Sequence, residues 1–307
     1  MNVKNLNKQK AGPQIPKIVI LVGQMLSKIS TRLTILYVAR LFTTPIKHKM
    51  PKRELEMFNK SRKSKLYIES LRKEVVVYEY GNSNRKVLLV HGWSGRGTQL
   101  VKFADWLINA GYSTVSFDAP AHGKSSGSRT LMPEFIDCIH EIDKQFGPFE
   151  AAIGHSLGGM SLLNAAKRGF TVSNIITIGS GDIVKDIMDE FILKMQLRNK
   201  YSTLMRNHFE KDSAERMENY DAYLAAKDLA VPVLVIHDSN DMEVPLKCAV
   251  HIHKNLKKGK LMITSGLGHR KILGNEEVLK AAIQFIKNDE KHEKDLHTIG
   301  AVGNAVL

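Results

Sequence analysis

From residue 74 onward, short and almost wholly apolar segments alternate regularly with longer segments of helical pattern. This alternation constrains the fold more strongly than any other feature of the sequence. An apolar run of four or five residues is typical of a strand buried on both faces, as in a parallel sheet. The sequence therefore predicts an α/β fold with a mostly parallel sheet and helices on both faces. The predicted strands are 75–78, 87–90, 113–117, 151–153, 174–178, 233–236 and 260–264, and the predicted helices are 98–110, 132–146, 157–167, 245–256 and 276–287.

The positive charge of the chain is confined to its N-terminal quarter. The net charge is +14, and residues 1–73 alone hold 17 Lys and Arg against 3 acidic residues, so the rest of the chain is neutral overall. A uniformly basic nucleic-acid-binding protein would not divide its charge in this way, and we expect no nucleic-acid partner. We predict a basic extension at 1–73, a main domain at 74–288 with a cap inserted at 182–228, and a tail at 289–307.

The N-terminal extension contains one predicted amphipathic helix within residues 15–42. Its longest uncharged stretch is too short to span a bilayer, and no signal-peptide cleavage site follows it. The helix could pack its apolar stripe on the main domain, or it could lie in the interface of an anionic membrane as a peripheral contact at the inner face. We interpret 51–65 as a basic connector or short helix. The stripe consists of Val22, Met25, Leu26, Ile29, Leu33 and Leu36.

The cysteines and the absence of certain motifs indicate where the protein is located and which cofactors it needs. Cys138 and Cys248 lie far apart in predicted helices, so we expect free thiols and a cytoplasmic location. We find no spacing of metal ligands behind a strand and no phosphate-binding G-x-x-x-x-G-K-[ST] pattern. We therefore expect neither a cofactor nor a metal.

A G-x-S-x-G pattern follows the predicted strand 151–153 and opens the helix 157–167. A serine on such a turn has a strained backbone and holds its hydroxyl above the sheet. Gly154 and Gly158 are expected where neighbouring backbone passes too close for a Cβ atom. The helix N-terminus also favours negative charge beside the serine. We interpret Ser156 as the candidate nucleophile.

The segment HGWSG (91–95) directly follows the predicted strand 87–90. In acyl transfer, the tetrahedral oxyanion needs two N–H donors, each worth about 3 kcal/mol of the barrier. The amide of Leu157, which follows the serine, and the amide of Trp93 are the candidates. We interpret His91 and Gly92 as supports of this loop.

Two further loops supply a candidate acid and a candidate base. HDSNDMEVP (237–245) follows the strand 233–236, and a carboxylate there can accept a hydrogen bond from a histidine Nδ1–H. We assign Asp238 to a side-chain turn and Glu243 to the surface, which leaves Asp241 as the acid. SGLGHR (265–270) follows the strand 260–264, and its glycines allow His269 to fold back towards the serine as general base.

With these loops in order, the chain resembles the α/β-hydrolase superfamily over residues 74–288. Ser156, Asp241 and His269 follow the nucleophile–acid–base order of that family. The family pattern D-x-x-G-x-G-x-S has Ala121 in place of its first glycine, which affects a turn but none of the three candidates. Some members place the acid after the preceding strand, which would point to Asp182. The resemblance is carried by HGWSG (91–95), FDAPAHGKSSG (117–127), GHSLGG (154–159), HDSNDMEVP (237–245) and GLGHRKIL (266–273).

The resemblance implies a serine hydrolase, similar to carboxylesterases, that cleaves an ester or thioester through an acyl-enzyme on Ser156. Met and Phe residues of the predicted cap suggest a small-molecule ester with an apolar acyl or alkyl group, unless they are simply helix core. Two alternatives remain open. One is an acyltransferase with the same triad, and the other is a membrane-associated binding protein on a hydrolase fold.

Overall fold

Helices and buried strands alternate along the chain in the computed structural model, which describes residues 15–211, 213 and 215–287. The predicted tail and residues 1–14 lie outside the described residues. The helices are α1 Lys17–Ile29, α2 Thr31–Phe42, α3 Leu55–Lys60, α4 Val101–Asn109, α5 Met132–Phe146, α6 Leu157–Lys167, α7 Val184–Lys194, α8 Lys200–Glu210, α9 Ala222–Asp228, α10 Leu246–Asn255, α11 Gly268–Lys271 and α12 276–287. The strands are β1 Arg62–Ile68, β2 Lys73–Tyr80, β3 Lys86–Val90, β4 Ser113–Asp118, β5 Ala151–His155, β6 Asn174–Ile178, β7 Val233–Asp238 and β8 Gly259–Thr264.

The strands form one sheet in the order β1-β2-β4-β3-β5-β6-β7-β8. Strand β2 is antiparallel to both of its neighbours, and all pairs from β4 to β8 are parallel. This topology confirms the predicted α/β fold with a mostly parallel sheet. Because parallel strands end at the same edge, the loops after β3, β5, β7 and β8 gather there.

Two apolar cores lie on opposite faces of the sheet because successive side chains of a strand point in opposite directions. In β3, Leu88 and Val90 belong to one core, together with residues of α5, α6 and α10. Val87 and Leu89 belong to the other core, with residues of α4 and α12. The helices therefore cover both faces, as predicted.

The sheet begins earlier than the sequence patterns indicate. We predicted a connector or short helix at 51–65, and α3 is such a helix, but β1 starts at Arg62 and pairs with β2 over its whole length. Only Leu66 and Ile68 of β1 are buried, while Lys65 before them and Tyr67 between them are exposed. An edge strand of this kind has one solvated face and a basic sequence, so it lacks the apolar run by which the other strands are recognised.

The helical N-terminal segment is divided into α1 and α2 at Ser30. The backbone of Ser30 is extended, with φ −154° and ψ 122°, and its Oγ accepts a hydrogen bond from the Leu33 amide at 3.3 Å. Serine is a favoured N-cap because its hydroxyl satisfies an amide at the first turn. The chain therefore starts a second helix where we predicted that one helix would continue.

Helices α7, α8 and α9 lie between β6 and β7, in the segment predicted as a cap. Met188, Ile192 and Met195 are fully buried in the core on that face. These side chains therefore belong to the core and do not line a substrate pocket, which is the second interpretation given for the Met and Phe residues of the predicted cap. Cys138 is buried and Cys248 half-buried, and both are free thiols, while the cytoplasmic location stays a prediction.

Candidate active site

Ser156 lies at the turn between β5 and α6 with φ 53° and ψ −119°. A residue with a Cβ adopts a positive φ only where its surroundings impose it, so this backbone is strained. The Ser156 amide donates to the Ile178 carbonyl at 2.9 Å, and the Ser156 carbonyl accepts from the Gly159 amide at 3.0 Å. These contacts hold the serine at the carboxyl edge of the sheet, half-buried, at the N-terminus of α6.

The turn is possible because two glycines let backbones approach each other closely. A Cβ atom on Gly154 would lie 2.5 Å from the Gly158 carbonyl oxygen, and one on Gly158 would lie 2.3 Å from the Val90 oxygen. Both distances are far below van der Waals contact. The two glycines of the sequence motif are therefore required by packing between β3, β5 and α6.

The Asp241 and His269 side chains are brought together from the loops after β7 and β8. Asp241 Oδ2 and His269 Nδ1 are 2.6 Å apart, and both side chains are buried, being 1% and 8% exposed. Asp241 Oδ1 also accepts the Glu243 and Val244 amides at 2.8 and 2.9 Å. Burial alone would raise the pKa of Asp241, but these hydrogen bonds and the nearby imidazole lower it below its ordinary value.

The serine turn lies beside this pair. A Cβ atom on Gly179, the residue after β6, would lie 3.1 Å from His269 Nδ1 and 3.4 Å from Asp241 Oδ2. Gly179 follows Ile178, whose carbonyl binds the Ser156 amide. Among the described residues no hydrogen bond joins Ser156 Oγ to His269. In unliganded enzymes, such bonds are often long and tighten only when substrate binds.

The HGWSG loop lies directly against the serine, since a Cβ atom on Gly92 would lie 3.0 Å from Ser156 Cβ. Within the described part of the chain, neither the Trp93 amide nor the Leu157 amide has a hydrogen-bond partner. Two such amides beside a serine are available to an anionic oxygen. Their role as oxyanion donors stays a prediction.

A profile of the Alpha/beta hydrolase family matches residues 87–279. The chain belongs to this family. An esterase from Exiguobacterium antarcticum has the same fold, with 18% identity, a TM-score of 0.59 and coverage of 74% of this chain and 100% of that one. A Paleococcus ferrophilus monoacylglycerol lipase shows 22% identity and a TM-score of 0.55, covering 69% and 98% of the two chains. A Pyrococcus furiosus esterase shows 15% identity and a TM-score of 0.61, covering 80% of this chain and 97% of that one.

A search of curated protein sequences finds no match to this chain. The identities to the solved structures are low, so those structures show only the fold that this chain shares with them. The fold and family predicted from the sequence are thereby confirmed.

Asp182, the alternative acid, is paired with a different histidine. Its Oδ2 lies 2.6 Å from His251 Nδ1, and its Oδ1 accepts the Tyr223 amide at 3.0 Å. It thus ties the start of the α7–α9 segment to α9 and α10. Of the two acids that the sequence offers, Asp241 is the one in contact with His269.

Asp238 joins the loops that carry Asp241 and His269. It accepts the Asn240 amide at 3.0 Å, the side-chain turn that we predicted. It also accepts the Leu267 and Gly268 amides at 3.1 and 2.9 Å. Burial raises the pKa of Asp238, but the hydrogen bonds, that of Gly268 first, lower it overall. Sequence reasoning did not identify these hydrogen bonds between the two loops. The adjacency of the ends of β7 and β8 is the signal that would indicate them.

Two buried histidines brace the HGWSG loop. His91 Nε2 accepts the Ala119 amide at 3.0 Å, and His122 Nε2 accepts the Ser94 amide at 3.0 Å. His91 therefore supports the loop, in line with our interpretation, whereas sequence reasoning did not single out His122. Ala121, next to His122, has φ 66°, so the turn keeps a left-handed backbone although alanine replaces the family's glycine.

We expect the protein to lose stability when the pH falls below about 6.5. Burial lowers the pKa of His91 to about 4 and of His122 and His155 to about 3. In an unfolded chain histidine titrates near about 6.5, so below that pH the unfolded state takes up protons that the folded state does not. Asp221, whose pKa burial raises to about 6, opposes this trend with a single proton.

With the three histidines and Asp221 taken together, we expect the free energy of unfolding to fall by roughly 2–3 kcal/mol as the pH is lowered from about 6 to about 5. Urea unfolding followed by circular dichroism over this range measures it. A free energy of unfolding that stays constant from about pH 7 to 5 would show that these imidazoles can take up protons in the folded state.

Gly158→Ala is expected to lower the free energy of unfolding by about 3 kcal/mol or more, because the added methyl group meets the Val90 and His91 carbonyl oxygens. Gly274→Ala is the matched control, since no atom lies within 4 Å of its added Cβ. We expect the control to change stability by less than about 1 kcal/mol. Urea denaturation compares the two, and equal stabilities would contradict the close packing at the serine turn.

Proposed function

We propose that the protein is a serine hydrolase that cleaves carboxylic esters or thioesters with an apolar acyl or alkyl group. The observation that carries the proposal is the buried 2.6 Å contact between Asp241 and His269 beside a serine held at φ 53°. A histidine oriented by a carboxylate, next to a serine on a strained turn, is the arrangement that activates a weak hydroxyl nucleophile.

In the proposed reaction, Ser156 Oγ attacks the carbonyl carbon and His269 Nε2 takes the hydroxyl proton. The Trp93 and Leu157 amides bind the oxyanion, and the proton then passes from His269 to the leaving alcohol or thiol as the bond to it breaks. Water, deprotonated by the same imidazole, attacks the acyl-enzyme. The bond between Ser156 Oγ and the acyl carbon then breaks, the proton returns from His269 to Ser156 Oγ, and the acid leaves. Asp241 stays ionised throughout and holds Nδ1–H, which its lowered pKa favours.

The preference for an apolar group is supported by exposed side chains on the loops that flank the serine. The side chain of Trp93 is 37% exposed and that of Met242, next to Asp241, is 64% exposed. An apolar substrate would remove these surfaces from water, worth about 25 cal/mol for each Å² buried. The buried Met residues of α7 do not contribute to this argument.

The test is hydrolysis of p-nitrophenyl esters with increasing acyl length, with the Ser156→Ala variant as the blank for spontaneous hydrolysis. We expect kcat/KM to rise as the acyl chain is lengthened beyond acetate. Each methylene that the site buries contributes about 0.8 kcal/mol, or roughly fourfold. A folded protein without turnover of any ester would contradict the proposed activity, and a highest kcat/KM for acetate would contradict only the apolar preference.

A further inference from the structure

Helix α1 exposes a continuous apolar stripe to solvent. Ile18, Leu21, Met25 and Ile29 recur every three or four residues and are between 55% and 68% exposed. This spacing places them on one side of the helix. Of these four residues, Met25 and Ile29 belong to the predicted stripe, and the interpretation that the stripe packs on the main domain is wrong for them. A stripe of this kind on the outside of a folded protein marks an interaction surface.

The opposite side of α1 is fixed to the body of the protein. A Cβ atom on Gly23 would lie 3.0 Å from Met195 Cε, and the Gln24 side chain donates to Gln196 at 3.3 Å. Tyr37 of α2 donates to the Val19 carbonyl at 3.0 Å and so joins the two helices. The stripe is thus presented on a helix that is already packed.

Helix α2 and the segment after it carry further exposed apolar side chains. Leu33 and Leu36 are 48% and 45% exposed, and Ile46 is 57% exposed. The Ile46 amide donates to Ser94 Oγ at 2.9 Å. Ser94 follows Trp93, so the exposed surface reaches the HGWSG loop of the candidate active site.

The side-chain charges of the N-terminal segment that carries this surface all have one sign. Residues 1–53 contain no aspartate or glutamate. Lys17, Lys28, Arg32 and Arg40 are exposed, and no ion pair to them is found among the described residues. On an ideal helix, Lys17 and Lys28 lie along one flank of the α1 stripe. The basic residues of the described part of this segment are Lys17, Lys28, Arg32, Arg40, Lys47, Lys49, Lys52 and Arg53.

We propose that α1 and α2, together called the docking hairpin (residues 17–42), bind the protein to the surface of an anionic lipid bilayer. Apolar side chains flanked by unpaired cations suit the boundary between acyl chains and anionic headgroups, and a protein partner would not require a segment without a single carboxylate. Of the described helices, none is long and apolar enough to cross a bilayer, so the hairpin would lie on the surface.

Vesicle flotation of the full chain tests the proposal, with vesicles of phosphatidylcholine alone or mixed with phosphatidylglycerol. We expect the protein to bind the anionic vesicles and to bind less as salt is raised. The double variant Leu21→Gln/Met25→Gln removes two exposed apolar side chains and keeps good helix formers. The triple variant Lys17→Gln/Lys28→Gln/Arg32→Gln removes three exposed charges. Each is expected to weaken partitioning about tenfold or more.

Matched controls make equivalent changes outside the hairpin. Ile263→Gln replaces a side chain that is 50% exposed on the edge strand β8. Lys254→Gln/Lys257→Gln/Lys258→Gln removes three exposed charges at and after the end of α10. Both controls should float like the wild type. Circular dichroism in the absence of vesicles verifies that all variants are folded, independently of vesicle binding and of ester hydrolysis.

Hairpin variants that float with anionic vesicles as well as the wild type would overturn the proposal. A wild type that does not bind anionic vesicles would overturn it as well. Sedimentation velocity separates one specific alternative. A wild-type dimer that Leu21→Gln/Met25→Gln converts to a monomer, without vesicle binding, would mean that the stripe contacts a second copy of the chain. None of these outcomes depends on whether the protein hydrolyses esters, so they do not bear on the proposed function.

Discussion

Ser156→Ala is expected to lower kcat for ester hydrolysis by roughly 10⁴–10⁶-fold and to leave the fold intact. The hydroxyl of Ser156 is the group at the serine turn that would form the acyl-enzyme, and alanine has no group to replace it. Alanine keeps a Cβ atom, so the backbone at φ 53° experiences no new clash. Initial rates with a p-nitrophenyl ester, together with thermal unfolding, measure both effects.

Ser173→Ala is the matched control for this loss. Ser173 is exposed and precedes β6 at the amino end of the sheet, away from the loops that carry the candidate residues. Its kcat should equal that of the wild type. A Ser156→Ala variant that retains more than about a hundredth of the wild-type kcat would show that another group is the nucleophile.

Asp241→Asn is expected to lower kcat by roughly 10⁴-fold, because an amide can donate to Nδ1 and so favour the wrong tautomer of His269. The carboxylate also accepts the Glu243 and Val244 amides, and Asn Oδ1 can keep both bonds. The expected loss therefore concerns the rate more than the fold. Stopped-flow or steady-state kinetics with a short ester, at a pH where the wild type is fully active, provides the measurement.

Asp182→Asn separates the two acids that the sequence left open. Asp182 is as buried as Asp241 and also has a histidine at 2.6 Å, but that histidine is His251. We expect its kcat to stay within a few fold of the wild type, while stability falls by about 1–3 kcal/mol. A larger loss of kcat in Asp182→Asn than in Asp241→Asn would reverse the assignment.

The fold could be predicted from sequence where a strand is buried on both faces. Strands β3, β5, β6 and β7 contain apolar runs whose buried side chains enter both cores, so their positions follow from local composition. Strand β1, with the sequence RKSKLYI, buries only every second residue at its end and pairs on one side only. Its identity depends on the pairing with β2, which no local pattern reveals.

The break at Ser30 has a similar origin. The apolar spacing continues from α1 into α2 without interruption, so periodicity predicts one helix. The separation instead depends on a serine cap and on Tyr37 reaching back to the Val19 carbonyl. A contact between two helices belongs to the tertiary structure, and the periodicity of the sequence does not reveal it.

The candidate site could be predicted in its main residues because each follows a strand of the same sheet. Chain order and strand ends bring Asp241 to His269. The groups that hold the loops were harder to find, since Asp238 and His122 act on backbone amides of neighbouring loops. Those contacts depend on which strands are adjacent, β7 with β8 and β3 with β4, and the order of strands is not written in any one segment.

Labelling with a fluorophosphonate, followed by peptide mass spectrometry, tests the central claim most directly. The reagent phosphonylates a serine only where a base activates the hydroxyl and the oxyanion is stabilised. The account predicts one label per chain, on the peptide containing Ser156, and none on the folded Ser156→Ala variant. A folded wild type that remains unlabelled, or one labelled at another residue, would contradict the assignment of Ser156 as an activated nucleophile.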